Sequence, residues 1–431
     1  MNLPNGRKLC NLRYDLEMME NECPIRFHSK GVFLSARHNF EPQSKHEEFY
    51  SGAKWSPSGE DLLCTSQPNA VHLLGASEEI IDKNRYYVQD DVEDGSVSSI
   101  IRPVASRCVG EAIYDTAWYP FQNLNDPVTC CFVTTSKDQP IHLIDQHSFT
   151  SRCSYRCYDH MDEIESASCL AFNSQGDKLY AGSKSMVRCF DISRPGRDFY
   201  ELPTTLTRRD YRGLKGIVSC LTFNPDRSGA YAVGMYSRHV IIADECSPLA
   251  QAQLEIRDLP FGVTCLKWSP DGHKLWVGGR GNPDVLCWDI RHTKREVGKV
   301  QRSLNSNQRM TFDLDPWGAY LATGNQEGHL LMYDTQTFQE ILVERFDGEE
   351  EGFCAKGGHD CLNCVSFHPY AALLACTTGQ RRFDVSSDSD NDSEDDSGRV
   401  DEPRKRGKRA KFNPSAALIM QMQRNAKRME R

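Results

Sequence analysis

Across 431 residues no apolar run approaches the length of about 18 that a membrane span requires. The amino terminus, MNLPNGRKLC, also lacks the apolar core of a secretory signal. The expectation is a protein made and kept on the cytosolic side, with no membrane contact. Catalytic grammar is missing as well: there is no Walker phosphate loop, no GxSxG and no HExxH. No enzymatic activity, cofactor or metal is therefore expected. Positive charge is the third shortage, since 51 Lys and Arg against 60 Asp and Glu leave a net −9. An acidic chain does not attract polyanions through its overall field, so any nucleic-acid site has to be a local patch, and DNA is not an expected partner.

What the chain does have is repetition. An aromatic or large apolar residue followed by a polar residue and a tight turn occurs seven times. The copies are Trp55-Ser56-Pro57, Trp118-Tyr119-Pro120, Phe172-Asn173-Ser174, Phe223-Asn224-Pro225, Trp268-Ser269-Pro270, Leu314-Asp315-Pro316 and Phe367-His368-Pro369, spaced 45 to 63 residues apart. Most are followed by a short apolar run ending in a hydrophobic–Asp pair: Ile144-Asp145, Phe190-Asp191, Ala243-Asp244, Trp288-Asp289 and Tyr333-Asp334. Short strands at this period with a terminal Trp-Asp are the mark of a WD-repeat propeller. The expected fold is all-β, a seven-bladed WD-repeat β-propeller over residues 27–383. That architecture is a binding platform, and the repeated Asp residues read as turn anchors rather than catalysts.

Eighteen cysteines suggest a disulfide or zinc scaffold until the repeats are aligned. Cys169, Cys220, Cys265 and Cys364 each stand three residues before the turn aromatic, one equivalent strand position where a small side chain packs between sheets. Cys361 and Cys364, with Cys354 and His359 nearby, have zinc-like spacing. On a strand, however, residues three apart face opposite sides, so the thiols are expected to be structural.

Outside the repeats, residues 1–26 read as a loosely ordered extension. Val32 to Ala36 reads as a strand able to pair with the last blade, whose repeat stops short of four strands. Residues 384–431 read as a disordered tail with an acidic, serine-rich half and a basic half. Asp384 to Glu402 holds nine acids and one Arg, and Arg404 to Arg431 holds ten basic residues and one acid. Arg404, Lys405, Arg406, Lys408, Arg409 and Lys411 form a cluster suited to an importin groove. Ser387, Ser389 and Ser393 each have an acid three residues later, the pattern an acidophilic kinase takes. The end of the tail, from Pro414-Ser415 through Leu418, Ile419 and Met422, reads as a helix start.

Several loops carry Arg or Gln where a blade needs only a turn: Arg194 and Arg197, Gln308 and Arg309, and Gln380 and Arg381. Arg208, Arg209, Tyr211 and Arg212 add an aromatic among cations. Such mixtures bind single-stranded RNA, with Arg and Lys on phosphates, flat groups stacking on bases, and Gln reading base edges. The alternative is that these side chains are solvated or paired with local acids. Gly278-Gly279-Arg280-Gly281 is better explained by hairpin geometry than by a phosphate cradle. Trp288-Asp289-Ile290-Arg291 contains the Trp-Asp-x-Arg word of substrate receptors in cullin-based ubiquitin ligases, although an Arg at a strand end also bonds within its own blade.

Six longer words carry a more specific resemblance: EFYSGAKWSPSG (48–59), SKDQPIHLID (136–145), SRPGRD (193–198), VLCWDIR (285–291), NQRMTFDLDPWG (307–318) and HPYAALLACTTGQR (368–381). In one collinear order they resemble the telomerase Cajal body protein family, nuclear WD-repeat proteins that bind small Cajal body RNAs. The resemblance implies recognition of the CAB box in box H/ACA RNAs, and of telomerase RNA where it carries the box. It also implies association with the H/ACA ribonucleoprotein core proteins and with telomerase, and retention of the particles in Cajal bodies. The acidic-then-basic carboxyl segment is not a feature that the resemblance predicts.

Overall fold

The computed structural model describes residues 32–39, 49–75 except 68, 99–100, 103–205, 214–344 except 253 and 305, 361–379 except 372, and 416–422. It is all-β apart from one short 3-10 turn, Leu249–Gln251. Six sheets are four-stranded antiparallel blades, with inner strands Phe49–Trp55, Ile113–Trp118, Cys169–Phe172, Val218–Phe223, Val263–Trp268 and Phe312–Leu314. The second and third strands are buried on both faces, as in Lys178–Ser183 and Met186–Asp191, because each sheet is stacked between two others. The outermost strand Pro103–Cys108 alternates instead between half-buried and exposed residues. An apolar cluster fills every seam, including the one that joins Tyr320, Met332 and Leu342 to Leu362 and Phe367, and the one that joins Tyr50 and Trp55 to Leu373 and Ala375. The β-propeller is thus a closed ring.

The expected seven-bladed ring is corrected to six regular blades and one composite closing sheet. The last sequence repeat supplies only Leu362–Phe367 and Leu373–Thr378, and its sheet is completed by both ends of the chain to make five strands. Ala416–Met422 takes the third position, antiparallel to Leu373–Thr378, with Leu374 opposite Met420 and Cys376 opposite Leu418. Val32–Asn39 lies outside it, again antiparallel, with Leu34 opposite Met420. Ser99–Ile100 adds a parallel pairing at the edge. The amino-terminal strand therefore joins the ring as expected, but on the carboxyl-terminal strand rather than on the last repeat. The segment read as a helix start is a strand, because two strands alone would leave an open edge at the seam. Residues 380–415, which contain the acidic half and the basic cluster Arg404 to Lys411, connect the second and third strands of this sheet instead of trailing from it. Ser387, Ser389, Ser393 and the cluster Arg404 to Lys411 lie outside the described residues, as do residues 1–26.

Strand direction alternates within each blade, so the ring has two distinct faces. Inner strands begin, second strands end and third strands begin on what we call the leading face. The repeated turn words occupy the opposite, trailing face. There Ser56, Asn173, Asn224, Ser269, Asp315 and His368 are buried, and each accepts an amide N–H from its own turn or the following strand. The Asp that ends the third strand of the second to sixth blades does likewise. Asp145 accepts the amides of His147 and Ser148, Asp191 that of Ser193, Asp244 that of Cys246 and Asp334 that of Gln336, at 2.7 to 2.9 Å. These acids are turn anchors.

The repeated cysteines sit where inner strands meet the next blade. Cys169, Cys220 and Cys265 lie opposite Gly182, Gly234 and Gly278, and two small residues in register let neighbouring sheets close on each other. A β-carbon added at Gly182 would stand 2.5 Å from the Cys169 sulfur and 2.6 Å from Val218 of the next blade. Burial pushes the Cys220 thiol up to about 12, so it stays protonated and unreactive. Cys361 and Cys364 diverge as expected. Cys361 donates to Gln308 Oε1 and the Gly379 carbonyl, at 3.2 and 3.1 Å, while Cys364 donates to Ala53 of the first blade at 3.4 Å. Cys354 and His359 lie outside the described residues.

Two outcomes follow from this architecture. Truncation after Pro414 removes the third strand of the closing sheet and should lower the melting midpoint and speed limited proteolysis, whereas excision of 384–411 with both strands kept should leave the melt unchanged. A truncated chain that melts like the full one would contradict the closure. The second outcome concerns Asp315, whose carboxyl is raised to about 6 by burial. A raised acid pKa means the folded state holds the proton more tightly, so this group's stabilisation is present at low pH and is lost as pH rises from about 4 to about 6. Asp315→Asn removes that dependence. Its melting point relative to the parent should therefore be more favourable at pH 7.5 than at pH 4.5, by up to ~3 kcal/mol for two pKa units. An equal difference at both pH values would contradict the assignment.

Candidate nucleic-acid interface

The structure separates the loop residues that the sequence grouped together. Arg194 and Arg197 lie on the turn between the third and fourth strands of the third blade. That turn folds along the rim onto the second blade, Gly196 donating to the Ser154 carbonyl at 3.0 Å and its own carbonyl accepting from Arg156 at 2.8 Å. Arg194 is exposed. Arg197 is committed, 3.0 Å from Asp162 and with its guanidinium 4.6 Å from the centre of the Tyr158 ring. Gln308 is committed too: its amide nitrogen donates to the Gly379 carbonyl at 2.8 Å and its oxygen accepts from Cys361, tying the sixth blade's leading loop to the closing sheet. Arg208, Arg209, Tyr211, Arg212, Gln380 and Arg381 lie outside the described residues.

Arg309 reaches across the ring. Its Nη1 donates to the Tyr114 carbonyl at 3.2 Å, joining the sixth blade's leading loop to the second blade's inner strand. Beneath it Asp115 accepts from Lys54 Nζ at 2.8 Å and from the Leu170 amide at 3.0 Å. Burial alone would raise the Asp115 pKa, but the Lys54 and Arg309 charges more than reverse that and hold the carboxyl below its usual range. Arg309 shows the converse. Burial opposes its charge and the Asp115 carboxylate restores it, so its pKa is raised. A second pair lines the same channel, Lys267 2.8 Å from Asp313, whose other oxygen accepts the Phe367 amide at 2.9 Å. Each pair bridges neighbouring blades, so these channel cations hold the ring together. Arg291, on the trailing face, clasps Asp289 two residues back, with Nε–Oδ1 2.9 Å and Nη2–Oδ2 2.6 Å.

The leading face carries cations that the sequence did not single out. Lys137, Lys184 and Arg280 each occupy the first position after the second strand of their blade, and Arg238 stands on the equivalent turn of the fourth. All four are exposed. Lys137 has Asp138 at 3.8 Å, and the Lys184 amide donates to Glu165 Oε1 at 3.3 Å; the side chains of Lys184, Arg238 and Arg280 have no ion pair among the described residues. The loops that bear them touch in sequence around the ring. Lys184 bridges to Ile217, Ile217 accepts from the Tyr236 amide at 3.1 Å, and Arg280 Nη2 lies 3.3 Å from the Tyr236 hydroxyl. Asn307 then lies against Gly281. Tyr114 and Ile217 add apolar surface, 40% and 43% exposed. The result is an arc of flat and cationic groups over the third to sixth blades, chemistry suited to an unpaired nucleic-acid strand. Its signal in the sequence is one cation per turn, visible only once the strand register is known.

No protein-family model matches the chain. Among curated proteins it is 33% identical over 352 residues to human Telomerase Cajal body protein 1, an alignment covering 81% of this chain and 60% of that protein. It is 27% identical over 374 residues to the Drosophila melanogaster Telomerase Cajal body protein 1 homolog, covering 85% of this chain and 64% of the relative. Guanine nucleotide-binding protein negative regulator 1 of Schizosaccharomyces pombe is 31% identical over 284 residues, 64% of this chain and 68% of the relative. The chain thus spans somewhat less than two thirds of the length of the first two relatives.

The channel geometry revises what substitution of Arg309 should do. Losing this charge-assisted, part-exposed bond across the ring should cost about 1 kcal/mol of stability, and Arg309→Ala should melt earlier than the parent. Arg194→Ala, exposed on the rim, should melt with it. Arg309→Ala melting at the parental temperature would show that the clasp contributes nothing.

Proposed function

The chain belongs to the telomerase Cajal body protein family, and from that premise we propose that it is an RNA-binding propeller that recognises the CAB box of box H/ACA small Cajal body RNAs. Telomerase RNA is a ligand where it carries the box, and the protein retains these particles in nuclear Cajal bodies together with the H/ACA core proteins. The observation that supports an RNA surface most directly is the leading-face arc, where the side chains of Lys184, Arg238 and Arg280 stand exposed with no ion pair among the described residues, in a chain that is acidic overall. The contrast with Arg197, Arg291 and Arg309 matters, because Arg197 and Arg291 are already paired with Asp162 and Asp289, and Arg309 donates to the Tyr114 carbonyl. The basic cluster Arg404 to Lys411 is the segment we assign to importin, and Ser387, Ser389 and Ser393 are the residues we assign to an acidophilic kinase.

A ubiquitin-ligase receptor using Arg291 is the less favoured reading, since both ends of that guanidinium are bound to Asp289 in its own turn. The RNA reading is tested by competition between hairpins with intact and mutated CAB-box loops. The intact loop should bind at least about tenfold more tightly, ~1.4 kcal/mol, and the ratio should persist at moderate salt because the acidic body adds little non-specific attraction. Equal binding of the two hairpins would sink the proposal.

A further inference from the structure

We propose that the leading-face seam between the fourth and fifth blades is a nucleotide subsite, in which one unpaired base of an RNA loop stacks on the Tyr236–Arg280 pair and presents its edge to Asn307. This rests on the RNA reading above and gives it a location.

The backbone holds the two flat groups in place. Tyr236 follows the second strand of its blade, and its amide is fixed to the Ile217 carbonyl; Arg280 follows the second strand of the next blade, and its amide donates to the Gly262 carbonyl at 3.0 Å. The Leu259 amide donates to the Arg238 carbonyl, binding the intervening loop to the same turn. Two glycines allow this closeness: a β-carbon at Gly262 would stand 3.0 Å from the Tyr236 carbonyl, and one at Gly279 would overlap the Phe261 ring. Phe261 is buried and forms the apolar floor of the seam. Above it the Arg280 guanidinium lies 4.8 Å from the centre of the Tyr236 ring.

The other described cation–aromatic pairs are spent. Arg188, over Phe199, is buried and bound to Glu165 at 2.7 Å, and Arg197, over Tyr158, is neutralised by Asp162. Arg280 is exposed and has no ion pair among the described residues. A planar cation beside a ring stacks on any base, whereas the bases of a duplex have no free faces, so the fit is to an unpaired nucleotide. Asn307 is exposed beyond Gly281, with its Oδ1 3.6 Å from where a β-carbon of Gly281 would be. Its amide offers one donor and one acceptor to a base edge. Arg238, on the Tyr236 turn, is placed for the adjoining phosphate.

The test uses the full chain and a fluorescent CAB-box hairpin, with melting curves for every variant. Tyr236→Ala and Arg280→Ala should each weaken binding by about 5- to 100-fold, within the range for a lost stacking contact. Tyr236→Phe should retain most affinity because the ring remains, and Arg280→Lys should stay weak because a lysine has no plane. Asn307→Ala should narrow the preference between loop sequences more than it lowers affinity. Arg227→Ala, on the trailing face, should bind like the parent. If the parent binds the hairpin and Tyr236→Phe and Arg280→Lys both bind like it while the two alanine variants lose nothing, the subsite is wrong and the RNA reading survives. If the parent binds neither hairpin, the RNA reading itself falls.

Discussion

Closure of the ring is the constraint on which everything else depends. Each blade buries its faces only against its neighbours, so an unfinished seventh sheet would expose two apolar seams and a row of unpaired backbone groups at once. The last repeat runs out after Leu373–Thr378, and the chain completes the sheet with Ala416–Met422 and Val32–Asn39 from its two ends. One strand comes from each side of the sequence, so the seam cannot open without losing a ladder at both. The same arrangement turns residues 380–415 from an appended tail into a connection that leaves from and returns to the leading face.

That topology divides labour between the two faces. On the trailing face the polar side chains are consumed by turns: the Ser, Asn, Asp and His of the repeated words are buried acceptors, and the strand-end Asp residues hold the next amides. Arg291 is absorbed by one of those Asp residues. In the channel, Lys54 and Lys267 are consumed by bridging blades through Asp115 and Asp313, and Arg309 by its bond to the Tyr114 carbonyl. On the leading face, where short second-to-third-strand turns need little from their side chains, Lys184, Arg238 and Arg280 have no ion pair among the described residues. Cations there are free to meet a ligand, and the aromatic groups beside them are held by the backbone rather than by one another.

The sequence made the ring legible where one residue type does one job in every repeat. The turn aromatics, the buried turn acceptors and the cysteines three positions earlier all announced themselves by alignment, because packing between sheets tolerates only small or flat groups there. The closing strand was not legible. Ala416-Ala417-Leu418-Ile419-Met420 shows no alternation, which a strand paired on both edges does not require, and its apolar run after Pro-Ser mimics a helix start. The site was only partly legible for a different reason. Arg-rich words drew attention to Arg197 and Arg309, yet density of charge in sequence does not report which acids lie across a seam. Arg280 stood in a glycine-rich hairpin whose glycines are explained by Phe261 and Phe312, and its pairing with Tyr236, on another blade, has no sequence signature.

The central claim is that function resides on the leading-face arc and not on the rim, channel or trailing face. Ultraviolet crosslinking of the full chain to a CAB-box hairpin, followed by mass spectrometry of the crosslinked peptides, addresses it directly. The account predicts crosslinks in peptides that contain Ile217, Tyr236, Arg280 and Asn307, suppressed by excess unlabelled hairpin. Specific crosslinks confined to the Arg194–Arg197 turn or to the trailing-face turns would contradict it.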